Sequence, residues 1–254
     1  MKGGFRKLYL VELRRQWTVA AVFIPLGLLA LSSITLFMNA KFSKTYDIAR
    51  MAASTNMTTV VPLAAILFGV AMVAADVKEG WLRTLLIRPI SRQRYLLIKM
   101  AAVYTSVVIT ILVAGVLPNV IVPTIFFKGE VQFDLLRVVE VHAIVLMQTL
   151  LMVSILAFFS CWLPGVFNVV LLGFWWMAAS IISALLQNFF WSDKWLTILK
   201  DFLFPHGFSK SMDAFLGGMP TPYADLSWAF GSMALFLALA FWSVARIQVD
   251  KGSE

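Results

Sequence analysis

The sequence predicts an all-α protein that crosses a membrane six times, and three observations carry that prediction. Of its 254 residues 61% are hydrophobic and only 13% charged, with a mean hydropathy of +0.86, far more apolar than ordinary soluble usage. Six apolar runs approach the roughly 20 residues a helix needs to cross the hydrocarbon: about 17–38, 57–75, 95–117, 141–163, 166–187 and 227–246. Basic residues, finally, alternate in density between the segments that join them.

That alternation orients the chain. With the N-terminus inside, the inner segments hold thirteen Lys and Arg against eight outside, while acidic residues divide five to eight the other way. The positive-inside rule then places both termini in the cytoplasm, together with the loop between the second and third runs. The net charge of +8 is accounted for by topology and calls for no nucleic acid. A single cysteine, Cys161, cannot form an internal disulfide.

The segment 1–16 places Phe5, Leu8, Tyr9, Glu12 and Leu13 at helical spacing among basic residues, which predicts an amphipathic helix in the inner interface; plain positive-inside anchoring is the simpler alternative. It lacks a small-residue cleavage site, and the run that follows is too long for a signal-peptide core, so it is expected to be retained. Pro25 is expected to bend the first run, and Pro62 lies near the start of the second. Between the second and third runs, Trp81, Leu82, Leu85 and Leu86 recur at helical spacing. Pro89 disfavours helix at Arg88, and Ser91 supplies an N-cap for the next span.

The third run meets Pro118 and Pro123 and then a polar stretch from Lys128 to Asp134. Pro164-Gly165 makes a tight turn that pairs the fourth and fifth runs antiparallel. The outer segment 188–226 interleaves Phe189, Trp191, Trp195 and Phe202 with Asp193, Lys194 and Asp201. Short helices dipping into the outer leaflet fit this pattern, as does an interfacial loop with aromatic anchors. A tail, 247–254, follows the last span, and 1–254 reads as a single domain.

No Lys directly follows a Gly, so the chain carries no phosphate loop and any ATP is bound by another polypeptide. A membrane-embedded enzyme would need a catalytic constellation. Glu140 and His142 come nearest but lack the further ligands of a metal site. Haem is equally poorly served by His142, His206 and the Trp175-Trp176 pair. A channel, or a non-transporting scaffold or immunity component, is the third class. The runs carry few ionisable groups, which argues against a charged ion pathway. Sparse polar residues suit helix packing or a weakly polar translocation path, for which Gln148, Ser154, Asn168 and Ser180 are the candidates.

The succession Lys78-Glu79-Gly80, Arg83-Thr84-Leu85-Leu86, Arg88-Pro89-Ile90-Ser91-Arg92 and Tyr95 to Lys99 resembles the cytoplasmic signature of ABC-2 type ATP-binding-cassette transporter permeases. It departs from that signature at Trp81, where a small residue or Thr is common, and at Ile98, where Gly is common. The layout is similar throughout: an elbow helix, six spans, and an outer pair of short helices before the last. The resemblance implies an exporter subunit in a bacterial plasma membrane, dimeric with an identical or different permease. A separate cytoplasmic ATPase would hold ATP and Mg, with no cofactor in this chain. It further implies that 76–90 is the coupling helix, with Asp76, Lys78, Glu79, Gly80 and Arg83 at the ATPase contact. Pro89 would stop that helix, and Arg92 and Arg94 would anchor its return. Cargo is left open, because fold does not fix function.

Overall fold

Apolar runs of this length become helices because hydrocarbon offers the backbone no other hydrogen-bond partner than itself. The computed structural model describes residues 2–17, 19–40, 45–70, 72–78, 90–126, 130–163, 165, 167–168, 170 and 207–247. Four of its helices are long and apolar enough to cross a membrane: Ile48–Lys78, Arg92–Ile125, Leu135–Ser160 and Tyr223–Arg246. The protein is therefore a multi-pass membrane protein. The fifth run apart from residues 167–168 and 170, the segment 79–89 and residues 188–206 lie outside the described residues.

In chain order the elements are α1 (Lys2–Gln16), α2 (Val19–Ala40), β1 (Thr45–Asp47), α3 (Ile48–Thr55), a π-helical turn (Asn56–Val60), α4 (Val61–Gly69) and α5 (Ala74–Lys78). There follow α6 (Arg92–Thr110), a second π-helical turn (Ile111–Val116), α7 (Leu117–Phe126), β2 (Glu130–Gln132), α8 (Leu135–Ser160), α9 (Gly207–Gly217) and α10 (Tyr223–Arg246). Ile48–Lys78, Leu135–Ser160 and Tyr223–Arg246 run in one direction and Arg92–Ile125 in the other, as the Asp76–Lys99, Trp162–Ser243 and Arg92–Ala245 contacts require, so the bundle has one end carrying α1 and an opposite end carrying the strands. α8 packs against α10, α4, α3 and α6, and forms the centre of the bundle. One apolar core runs through it, including Phe68, Leu96, Val103, Val145, Leu156 and Phe236. Outward-facing side chains such as Phe23, Ile34, Leu67, Ile121 and Ile125 remain exposed, as a lipid-facing surface requires.

The third apolar run was expected to end near its prolines, yet the helix continues through Pro118 and Pro123 to Phe126. Pro118 cannot donate to the carbonyl of Ala114 four residues earlier. The π-helical turn lies at that place, and Ser32 Oγ on α2 donates to the freed Ala114 carbonyl at 2.5 Å. Pro62 likewise follows directly on the first π-helical turn. The described residues are helical as expected of an all-α membrane protein, apart from two strands of three residues each. β1 and β2 pair in parallel, Tyr46 opposite Val131, because each lies just before a helix that re-enters the bundle from the same end.

Helix starts follow the sequence chemistry. Ser91 caps α6 by accepting from Arg94 N at 3.2 Å, as its placement after Pro89 predicts. Asp134 caps α8, accepting from Leu136 N at 3.0 Å and Arg137 N at 3.3 Å. Asp134→Ala is expected to cost about 1 kcal/mol, read as a lowered thermal midpoint in detergent that Asp134→Asn largely spares.

Candidate functional site

α1 and the Trp17 that follows it make four polar contacts with a short stretch of α6. Tyr9 OH lies 2.8 Å from Thr105 Oγ1, Trp17 Nε1 donates to Ser106 Oγ at 3.0 Å, and Ser106 Oγ donates to Gln16 Oε1 at 2.8 Å. Lys99 Nζ lies 2.6 Å from Glu12 Oε2. Lys99 to Ser106 covers only about 10 Å of helix, so α1 crosses α6 instead of running along it. An in-plane helix would cross a spanning helix in this way.

Beneath that crossing sits a buried ion cluster. Asp76 on α5 is 1% exposed. It takes Arg15 Nη1 on Oδ1 at 2.5 Å, and on Oδ2 both Lys99 Nζ at 2.7 Å and the Tyr95 hydroxyl, which donates at 2.5 Å. Lys99, itself 5% exposed, bridges Asp76 to Glu12. Two carboxylates and two cations from three elements thus balance with no net charge. Burial of ions is tolerated only with such close pairing and hydrogen bonding.

The location matters as much as the charge. Asp76 stands three residues before the segment 79–89, and Tyr95 and Lys99 lie on the first two turns of the helix that follows it. Both flanks of that segment are therefore fastened to each other and to α1. Arg92 adds a further tie, donating from Nη1 to the carbonyls of Ala245 at 2.6 Å and Ile247 at 3.0 Å. A cation here also suits the negative end of α10.

A second polar constellation lies where the two π-helical turns face each other. His142 Nδ1 lies 2.7 Å from the carbonyl of Val138, which can only accept, so the ring proton is on Nδ1. Nε2 then accepts from Asn56 Nδ2 at 3.0 Å. That leaves Asn56 Oδ1 buried without a hydrogen-bond partner. It rests against Gly115, where a Cβ would stand 1.7 Å from it. Nearby, Asn119 Nδ2 donates to the Gly115 carbonyl at 2.6 Å and Asn119 Oδ1 accepts from Tyr46 OH at 2.8 Å. Burial raises the Tyr46 phenol above its ordinary range, so it stays a donor.

The residues expected to act are distributed unevenly over this architecture. Asp76, expected to touch an ATPase, is instead turned inward, because Lys99, Arg15 and Tyr95 solvate its charge better than a surface position next to hydrocarbon would. Lys78 is exposed. Arg92 holds the end of α10. Glu79, Gly80, Arg83 and Pro89 lie outside the described residues, as does Ser180. Ser154 Oγ donates to the carbonyl of Leu150 at 2.7 Å on its own helix. Asn168 Nδ2 donates to the Val70 carbonyl at 3.0 Å, whereas Gln148 Oε1 and Asn168 Oδ1 are buried without partners. Glu140 is exposed while His142 faces Asn56, so the two do not converge. Among the described residues no three of His, Cys, Asp and Glu group as metal ligands would.

Glu12 and Lys99 were visible in the sequence without their pairing. The usable signal was a carboxylate on the apolar face of α1 and a lysine one helical turn beyond Tyr95 inside an apolar run. Asn56 and Gly115 carried no comparable signal. In comparisons with known proteins, a family profile described as "Protein of unknown function (DUF2705)" matches residues 19–251. No curated protein matches the chain.

Proposed function

The chain belongs to the DUF2705 family, and from its own residues we propose that it is the permease subunit of an ABC-2 type exporter. It sits in a bacterial plasma membrane with both termini cytoplasmic, crosses six times, and pairs with a second permease chain. A cassette ATPase supplies ATP hydrolysis, since the sequence holds no phosphate loop.

The observation that carries this reading is the ion cluster at the flanks of 79–89. A segment that receives force is useful only if the force reaches the spanning helices without being absorbed at its ends. Asp76 and Lys99 join the two flanks through buried charge, Glu12 and Arg15 add α1, and Arg92 adds α10. Closure of the ATPase dimer would press on 76–90 and rock these helices as one body against the partner permease, giving alternating access. In this mechanism Asp76 is an interior anchor. Lys78, Glu79, Gly80 and Arg83 meet the ATPase, and Pro89 ends the helix. Gln148, with its unpartnered Oε1, is the described residue best suited to a weakly polar path.

Affinity purification of the tagged chain from its native host, followed by mass spectrometry and an ATPase assay, tests the proposal. A stoichiometric phosphate-loop ATPase is expected, with hydrolysis uncoupled from transport in Glu79→Arg while membrane insertion persists. Purification with no ATPase, under conditions that preserve other membrane complexes, would instead favour a non-transporting scaffold.

A further inference from the structure

The α1 end of the bundle has an exposed surface whose charges, among the described residues, are all positive. Its two described carboxylates, Glu12 and Asp76, are consumed inside the ion cluster, whereas Arg6, Lys7, Arg14, Lys78, Arg94 and Arg246 are exposed. At one place this cationic surface meets two tryptophans. Trp162, just past the end of α8, and Trp242 on α10 have ring centroids 6.3 Å apart, and the Arg246 guanidinium lies 4.1 Å over the Trp242 ring. Trp162 Nε1 donates to Ser243 Oγ at 2.8 Å, which fixes its indole on α10.

Both indoles remain open to the surroundings, Trp162 at 57% and Trp242 at 46% exposure. In a membrane protein, half-exposed indoles at the ends of spanning helices lie at the headgroup level. A guanidinium stacked on an indole uses its face, and its N–H edge stays available for an in-plane, bidentate oxyanion. No carboxylate among the described residues pairs with Arg246. Arg92, bound to the carbonyls of Ala245 and Ile247 on the neighbouring turn, raises the positive potential and holds the end of α10 in place.

We propose that Trp162, Trp242 and Arg246 form a binding site for an anionic phospholipid of the leaflet at the α1 end. The phosphate is held by the Arg246 edge and the glycerol and upper acyl region lies against the two indoles. Charge complementarity selects the occupant. A zwitterionic lipid offers the same phosphate but brings its own cation to a surface whose exposed charges, among the described residues, are positive, whereas an anionic lipid does not. The site does not depend on the transport reading.

The test uses the full chain reconstituted in phosphatidylcholine vesicles containing an equal fraction of either brominated phosphatidylglycerol or brominated phosphatidylcholine, with tryptophan quenching as the readout. Wild type is expected to be quenched more strongly by the brominated anionic lipid. That excess should vanish in Arg246→Gln and in the Trp162→Phe/Trp242→Phe double variant. Arg246→Lys keeps the charge without the planar fork, and a partial excess is expected. Inorganic phosphate at constant ionic strength should leave the excess unchanged. Equal quenching by the two lipids in wild type would overturn the proposal, as would an excess that survives Arg246→Gln or one that phosphate abolishes, the last identifying a free anion as the ligand. Size-exclusion profiles and α-helical circular dichroism of the variants separate loss of the site from loss of the fold.

Discussion

Lys99→Met is expected to destabilise the protein by about 3–5 kcal/mol, the usual consequence of removing one partner from a buried ion pair. The change retains the packing volume of the side chain and deletes its charge. Glu12 then loses the ammonium 2.6 Å away, and Asp76 keeps only Arg15 and Tyr95 of its three partners. In a chain of this size the loss corresponds to a fall of roughly 6–20 °C in thermal midpoint, measurable by a thermal melt in mild detergent. Adding Glu12→Gln removes the stranded carboxylate, so the double variant should be more stable than the sum of the two single losses. An unchanged midpoint in Lys99→Met would mean that the cluster does not hold α1 and α5 to α6, and the proposed transmission through it would fall with it. If the permease reading holds, the double variant carries a second consequence. It should fold yet couple hydrolysis to transport poorly, because α1 is no longer fastened to the flanks of 79–89.

The parts of this architecture legible in the sequence are those written in local periodicity. α1, the Ser91 cap, and the four long helices follow from apolar runs and a polar start signal, both of which act within one or two turns. What could not be read depends on residues far apart in the chain. The β1–β2 pairing joins two segments of three residues separated by more than a span, too short for alternation to show. Where the helix continues through Pro118, the Ala114 carbonyl accepts from Ser32, a residue of another helix. Asp76 illustrates the same limit at the candidate site. Its position beside a charged loop reads as surface, and only the meeting of α1, α5 and α6 reveals that three donors await it inside. The segment 79–89 and, apart from residues 167–168 and 170, the fifth run lie outside the described residues.

Gly115→Ala isolates the second constellation through the sign of its effect. Within a helix, replacing Gly by Ala ordinarily stabilises by about 0.5–1 kcal/mol, because the backbone loses less entropy on folding. At Gly115 the added Cβ would stand 1.7 Å from Asn56 Oδ1, 2.4 Å from its Cγ and 2.7 Å from its Nδ2, so the whole amide must leave. Leaving breaks the contact of this fully buried side chain with His142 Nε2, and overpacking of this kind costs about 1–3 kcal/mol. The single variant should therefore melt below wild type. Asn56→Ala in the same background removes the clash, leaving His142 Nε2 without its donor but giving the new methyl group room. The double variant should accordingly lose less than the two single changes added together. Stabilisation by Gly115→Ala alone would place Asn56 elsewhere and separate the two π-helical turns. Destabilisation relieved by Asn56→Ala would establish that a bare Cα at position 115 is what allows those turns to meet.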